Sequence, residues 1–224
     1  MQQQRNASAR IANGFARTLV ATGVAVVALA ARADDTVLAC PLNKLADPTG
    51  GGCAAAGVVP HWMFATSQVF TGNLGGLAGA DTKCNQLAAA AGLPGSNGYR
   101  AWLSATAVDA RGRFPSDTRP VLTVARDRIA NSLDALAAGN LLRAPNVDER
   151  GVSLANDAQP YAWTATLVGG TYSGQNCATA GVTADWTDTS PRAMAGLLDA
   201  VGIGFTATSV QPCGSSLHLY CISP

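Results

Sequence analysis

The chain has 224 residues, with fifteen Lys and Arg against fourteen Asp and Glu, a formal charge of +1. Only 13% of its residues are charged and 48% are hydrophobic. That balance excludes a disordered chain, and the missing basic excess argues against a dedicated nucleic-acid binder.

The N-terminus reads as an address. Residues 1–17 are polar and carry Arg5, Arg10 and Arg17 with no acid. Thr18 to Ala30 is an apolar run, followed by Ala31-Arg32-Ala33. A basic region, a short apolar region and an A-x-A site predict a signal peptide over residues 1–33, with Asp34 as the mature start. The apolar run falls short of the ~20 residues a membrane span needs, and no later segment is long and apolar enough. The mature chain is thus expected to have no transmembrane helix. Val37-Leu38-Ala39-Cys40 has the look of a lipoprotein signal, but Asp34 and Asp35 separate it from the apolar run. A lipid anchor at Cys40 is the minor alternative. Loss of the leader removes four arginines and no acid, leaving eleven bases against fourteen acids, a net charge of −3. The expected location is periplasmic, secreted or on the cell surface.

All six cysteines, at 40, 53, 84, 177, 213 and 221, survive that cleavage. Export favours disulfides. None of them has the close Cys-x2-4-Cys spacing of a zinc site, and the only histidines are His61 and His218.

Residues 34–60 are rich in Gly, Pro and Ala and predict an irregular segment, with Cys40 and Cys53 paired in a small loop. Residues 61–224 form the domain proper. Trp62 to Thr66 predicts a strand and Thr71 to Gly76 a turn. Leu77, Ala80, Cys84, Leu87 and Ala91 share one helical face, which places Cys84 in the core; Gly92 and Pro94 end that helix. Tyr99 to Ser104 and Val121 to Val124 predict strands. Asn131-Ser132 caps a short helix from Leu133 to Ala138. Residues 145–160 read as loop, Tyr161 to Ala165 as strand, and residues 169–190 as a long excursion. In the final strand Leu217, Leu219 and Cys221 share one face and His218 and Tyr220 the other. These elements predict an α+β domain.

Several pieces occur in a characteristic order. They are Asn73-Leu74-Gly75-Gly76-Leu77-Ala78-Gly79-Ala80-Asp81-x-x-Cys84, Ala91-Gly92-Leu93-Pro94-Gly95 and Arg100-Ala101-Trp102-Leu103-Ser104. Asn146-Val147-Asp148-Glu149-x-Gly151 and Ala162-Trp163-Thr164 follow, and then Cys213-x3-Leu217-x-Leu219-Tyr220-Cys221. From about Trp62 to the C-terminus, this set resembles the bacterial endostatin-like domains. Those are similar to endostatin and to leptospiral surface proteins, and share the C-type lectin-like fold. The resemblance implies a twisted, mostly antiparallel sheet, two helices and long loops. It also implies nested bridges, Cys84 with Cys221 and Cys177 with Cys213. Related domains often place a Trp soon after the cysteine matching Cys177, whereas here Ala178 to Asp185 precede Trp186.

The resemblance raises three site hypotheses. Calcium would need six to eight oxygens, and Asp148, Glu149, Asp185 and Asp188 only loosely match the lectin loops. The plainer reading is loop acids that face water and cap turns, hence no cofactor. Zinc lacks a histidine cluster. A basic face for anionic polysaccharide would draw on Arg111, Arg113, Arg126 and Arg128 among eight arginines between Arg100 and Arg150. Six acids share that stretch, so a mixed surface with ordinary ion pairs is the competing expectation. Trp102, Trp163 and Trp186 are expected to be buried rather than to form a sugar platform. His218 with Ser215 or Ser216 lacks any nucleophile frame, and is read as a surface or strand-packing histidine. The functional expectation is an exported, non-catalytic binding module for extracellular protein or matrix ligands, as for spirochaete relatives that act as adhesins. A lectin-like polysaccharide binder is the alternative and a hydrolase the third reading.

Overall fold

The computed structural model describes residues 59–179 and 184–224, together with the backbone of residues 44–46 and 53–55. The signal peptide, Cys40 and the side chain of Cys53 lie outside the described residues, and so does their expected bridge. The segment expected to be irregular carries a short antiparallel ladder, β1 (Lys44–Ala46) with β2 (Cys53–Ala55).

The remaining elements follow the chain. They are β3 (His61–Ala65), α1 (Gly76–Ala90), β4 (Arg100–Ala101), β5 (Val121–Thr123) and β6 (Arg128–Ala130), then α2 (Leu133–Ala137) and β7 (Tyr161–Trp163). β8 (Arg192–Leu197), β9 (Ser209–Pro212) and β10 (His218–Ile222) complete the domain. The sheet runs β6-β5-β3-β10-β7-β8-β9, with β4 also paired to β10. Only β3–β5 and β7–β10 are parallel, so the sheet is mostly antiparallel and the domain is α+β. The terminal strands pair directly, Phe64 opposite Cys221 and Met63 opposite Ile222.

β10 is buried along its whole length because helices cover both faces of the sheet. On one face Phe64, Leu219 and Cys221 meet Ala80, Cys84 and Leu87 of α1. On the other, Met63, Tyr220 and Ile222 join the core that holds Leu133 and Leu136 of α2. The alternation read in the last strand is therefore correct, but both of its faces point inward. His218 is only 1% exposed, which rules out the surface reading and leaves a packed histidine.

Local signals explain both helices. Ser132 accepts a hydrogen bond from the Ala135 N–H at 3.0 Å, a side-chain cap on α2. α1 has no side-chain cap. Instead the Trp186 carbonyl accepts the N–H groups of Leu74, Gly75 and Gly76 at 2.8–3.2 Å, meeting the orphan donors of a helix start from a distant loop. Beyond α1, Leu93 N–H bonds the Ala88 carbonyl and Pro94 prevents continuation. The expected strand at Tyr99 to Ser104 narrows to β4. After it, Trp102 N–H still reaches the Tyr220 carbonyl and Ser104 N–H the Thr164 carbonyl.

Two disulfides close the domain. Cys84–Cys221 joins α1 to β10, and Cys177–Cys213 ties the long loop to the approach to β10. Both are the pairs the resemblance implies. Among the described residues no helix is long and apolar enough to cross a membrane.

Candidate functional site: a cross-braced loop face

Three segments distant in sequence meet on one surface. The first is the turn at Thr106 to Asp109, closed by paired Ala105 and Val108. The second is residues 167–179, the third residues 184–190. Asp185 is their hub. It accepts from the Thr106 N–H at 2.8 Å, the Thr106 hydroxyl at 2.7 Å and the Asn176 amide at 2.7 Å. Asp109 accepts the Tyr172 N–H at 2.7 Å. The Cys177 carbonyl accepts from the N–H groups of Thr187 and Asp188.

Below this surface Trp186 acts as the anchor. Its side chain is fully buried, its indole N–H bonds the Ser104 carbonyl at 2.8 Å, and its ring meets Trp163 edge-on. Its backbone takes a positive φ of 60°, a conformation that a bulky residue adopts only when its surroundings hold it there. The same residue caps α1, so this loop and the first helix are fixed together. Gly72 passes against the second bridge, where a Cβ would lie 2.1 Å from the Cys177 sulfur. Ser104, Thr164, Thr166 and Thr206 form a buried hydroxyl network beneath, with Ser104 and Thr166 2.8 Å apart and Thr164 2.6 Å from the Thr206 carbonyl. Above the braces the face exposes Val108, Leu167 and Val168 beside Thr171 and Gln175.

The four calcium candidates occupy separate turns. Asp148 and Glu149, expected to face water, are buried. Asp148 accepts the N–H groups of Arg150 and Val152, both at 2.9 Å, and pairs with the Arg150 guanidinium. That hydrogen bond, with the charge behind it, raises the Arg150 guanidinium further. Glu149 takes the Ser67 N–H and hydroxyl. Asp188 caps the Ser190 N–H at 2.8 Å, and hydrogen bonds from Ser190 lower its carboxyl. Among the described residues no three His, Cys, Asp or Glu side chains gather where an ion could sit.

The arginines are largely paired. Arg111 bonds Asp134, and Arg113 makes a two-pronged contact with Asp81. Arg119, Arg143 and Arg150 pair with Asp117, Asp127 and Asp148. Arg128 contacts Asn131, and Arg126 stands exposed on a turn at positive φ. The stretch is a mixed surface with local partners.

Neither histidine belongs to a nucleophile pair. The His218 Nδ1–H donates to the Thr66 carbonyl, while Nε2 stands 3.6 Å from Asp157; Ser215 and Ser216 are not its partners. His61 lies between two acceptors, the Ser223 carbonyl at 2.7 Å and the Asp117 carboxylate at 3.0 Å. Both contacts are satisfied together only when both ring nitrogens carry hydrogen. Burial by itself would lift the Asp117 carboxyl, but hydrogen bonds from His61 and Arg119 outweigh it and hold it at about 2. Burial pushes Tyr99 up to about 12. It also pushes Tyr220 well above the ordinary phenol range, helped by the charge of Asp199.

Sequence reasoning singled out Asp185 for the wrong chemistry and missed Thr106, Asn176, Val108, Leu167 and Val168. Their partners stand up to 79 residues away, and no local motif marks them. Trp102, Trp163 and Trp186 are buried, as expected. No protein-family model matches the chain, and no curated protein matches it.

Proposed function

We propose that this chain is an exported, non-catalytic binding module of the endostatin-like, C-type lectin-like kind, and that it holds extracellular protein or matrix ligands on the loop face. Support for the fold comes from the direct pairing of the terminal strands and from the two bridges at the positions the resemblance implies. Support for export comes from those same bridges, which suit an oxidising compartment.

The observation that carries the binding reading is the cross-bracing of three loops by Asp185, with Val108, Leu167 and Val168 left exposed above it. A surface held rigid before contact loses little entropy on association. Apolar side chains ringed by Thr, Gln and backbone polar groups match the make-up of a protein–protein contact.

The test is surface plasmon resonance of the exported chain over immobilised laminin, fibronectin and collagen, with and without calcium. At least one is expected to bind with no calcium requirement. Val108→Ser and Val168→Ser should each weaken that binding about fivefold to tenfold. Binding to none of the three, or binding unchanged in both variants, would reject the proposal.

A further inference from the structure

A cleft of about 580 Å³ lies beside the paired terminal strands, and none of its lining residues belongs to the loop face. Trp62 and Ser223 form its base, joined by the Trp62 N–H to the Ser223 hydroxyl at 2.8 Å and the Ser223 N–H to the Trp62 carbonyl at 2.9 Å. The turn after α1, residues 94–98, forms a wall. The Gly98 N–H closes that turn on the Gly95 carbonyl at 2.9 Å, and buried Tyr99 anchors its far end. Pro60, Pro94 and Pro224 add rigid apolar surface. The cleft is thus preformed, and its size falls in the ~300–1,000 Å³ range of small-ligand sites.

Its chemistry narrows the occupant. No ionisable side chain lines it, so a charged ligand would lose hydration there without a partner. Trp62 is half-buried, with one part packed on the core. Its indole N–H, the Ser96 hydroxyl and the Asn97 amide make no hydrogen bond among the described residues and are not sealed from solvent. One aromatic ring, apolar walls and a few unused donors and acceptors complement a pyranose, which has an apolar C–H face and a rim of hydroxyls. A proline-rich peptide would need a groove lined by aromatic rings, and here there is one.

We propose that this cleft binds a neutral glycan, with a sugar ring stacked on Trp62 and its hydroxyls met by the indole N–H, Ser96 and Asn97. This site is independent of the loop face and of the ligand proposed for it.

The experiment titrates the exported chain with the neutral hexasaccharides of cellulose, xylan and chitin, followed by calorimetry and amide NMR. A hyaluronan hexasaccharide is the anionic control, and a decaproline peptide the peptide control. At least one neutral sugar is expected to shift the amides of Gly95 and Gly98 and the Trp62 indole signal, while both controls leave them in place. Trp62→Ala should weaken binding at least about tenfold and Trp62→Phe should restore part of it. Because Trp62 also packs on the core, exposed Asn97→Ala is the second variant, with binding about threefold to tenfold weaker and an unchanged melting temperature. Val168→Ser should bind the sugar as the parent does. The proposal is overturned if no neutral sugar shifts these signals, or if the Trp62→Ala and Asn97→Ala variants bind as the parent does. Decaproline shifting the same amides in place of sugar would overturn it too. Sugar binding that appears only after deletion of residues 34–58 would assign the cleft to that segment instead.

Discussion

Cys84 on the first helix and Cys221 on the last strand are bonded with their Cα atoms 5.5 Å apart, although 137 residues separate them in sequence. The closed loop includes nearly the whole domain, including the second bridge. The chain-entropy model assigns about 5 kcal/mol to a closure of this length. Replacing both cysteines by Ala should therefore lower unfolding stability by about 2–5 kcal/mol in urea titration. Non-reducing peptide mapping should recover Cys84–Cys221 and Cys177–Cys213; a Cys84–Cys177 peptide would contradict the nested arrangement.

Gly72→Ala places a methyl group inside the contact radius of the second bridge, 2.1 Å from the Cys177 sulfur and 2.9 Å from the Cys213 Cβ. Neither atom lies at the end of a flexible side chain. The variant should be destabilised by about 1–3 kcal/mol, read as a lower urea midpoint. Gly174, with open space around its own Cβ position, has no comparable clash.

Asp117 links acid sensitivity to the His61 contact. Its carboxyl is held at about 2 in the folded chain against about 3.9 when unfolded. A depressed carboxyl contributes stability above the unfolded value and loses it as pH falls through the folded one, so the loss lies between about pH 4 and pH 2. Solvent near the carboxylate reduces the effect to about 1 kcal/mol. Asp117→Asn should flatten the stability curve in that window in pH-dependent thermal melts, while lowering stability at neutral pH.

At the alkaline end the sign reverses. Tyr99 ionises at about 12 in the folded chain and near 10 when unfolded. Stability is full below about pH 10 and falls as pH rises towards 12, because only the unfolded chain releases the proton there. Phenolate absorbance should show Tyr99 and Tyr220 withheld until the protein unfolds. Full ionisation of all four tyrosines by pH 10.5 in the folded state would contradict this.

Asp185→Ala removes three hydrogen bonds that join separate loops. The expected cost is about 1–2 kcal/mol in urea titration. Hydrogen exchange should quicken at Thr106 and across residues 171–179 while β3 and β10 keep their protection.

The legible parts of the sequence were those set by local pattern. The Leu77 to Ala91 periodicity marked α1, and Ser132 marked α2. β8 and β9 were not anticipated. Arg192–Leu197 is mostly small residues, because the Phe205 carbonyl crosses it at Gly196, where a Cβ would lie 1.7 Å away. Small side chains carry little strand signal. Asp148 and Glu149 looked like solvated loop acids, since their partners, a tight turn and Ser67, appear only in three dimensions. The loop face was illegible for the same reason: a rigid surface made of turns leaves no period in the sequence.

The loop face is the central claim, and hydrogen exchange of the exported chain with and without laminin tests it most directly. New protection is predicted over residues 105–109, 167–175 and 184–190, with the turn at 94–98 unchanged. Protection confined to other surfaces, with those three loops exchanging as in the free chain, would contradict it.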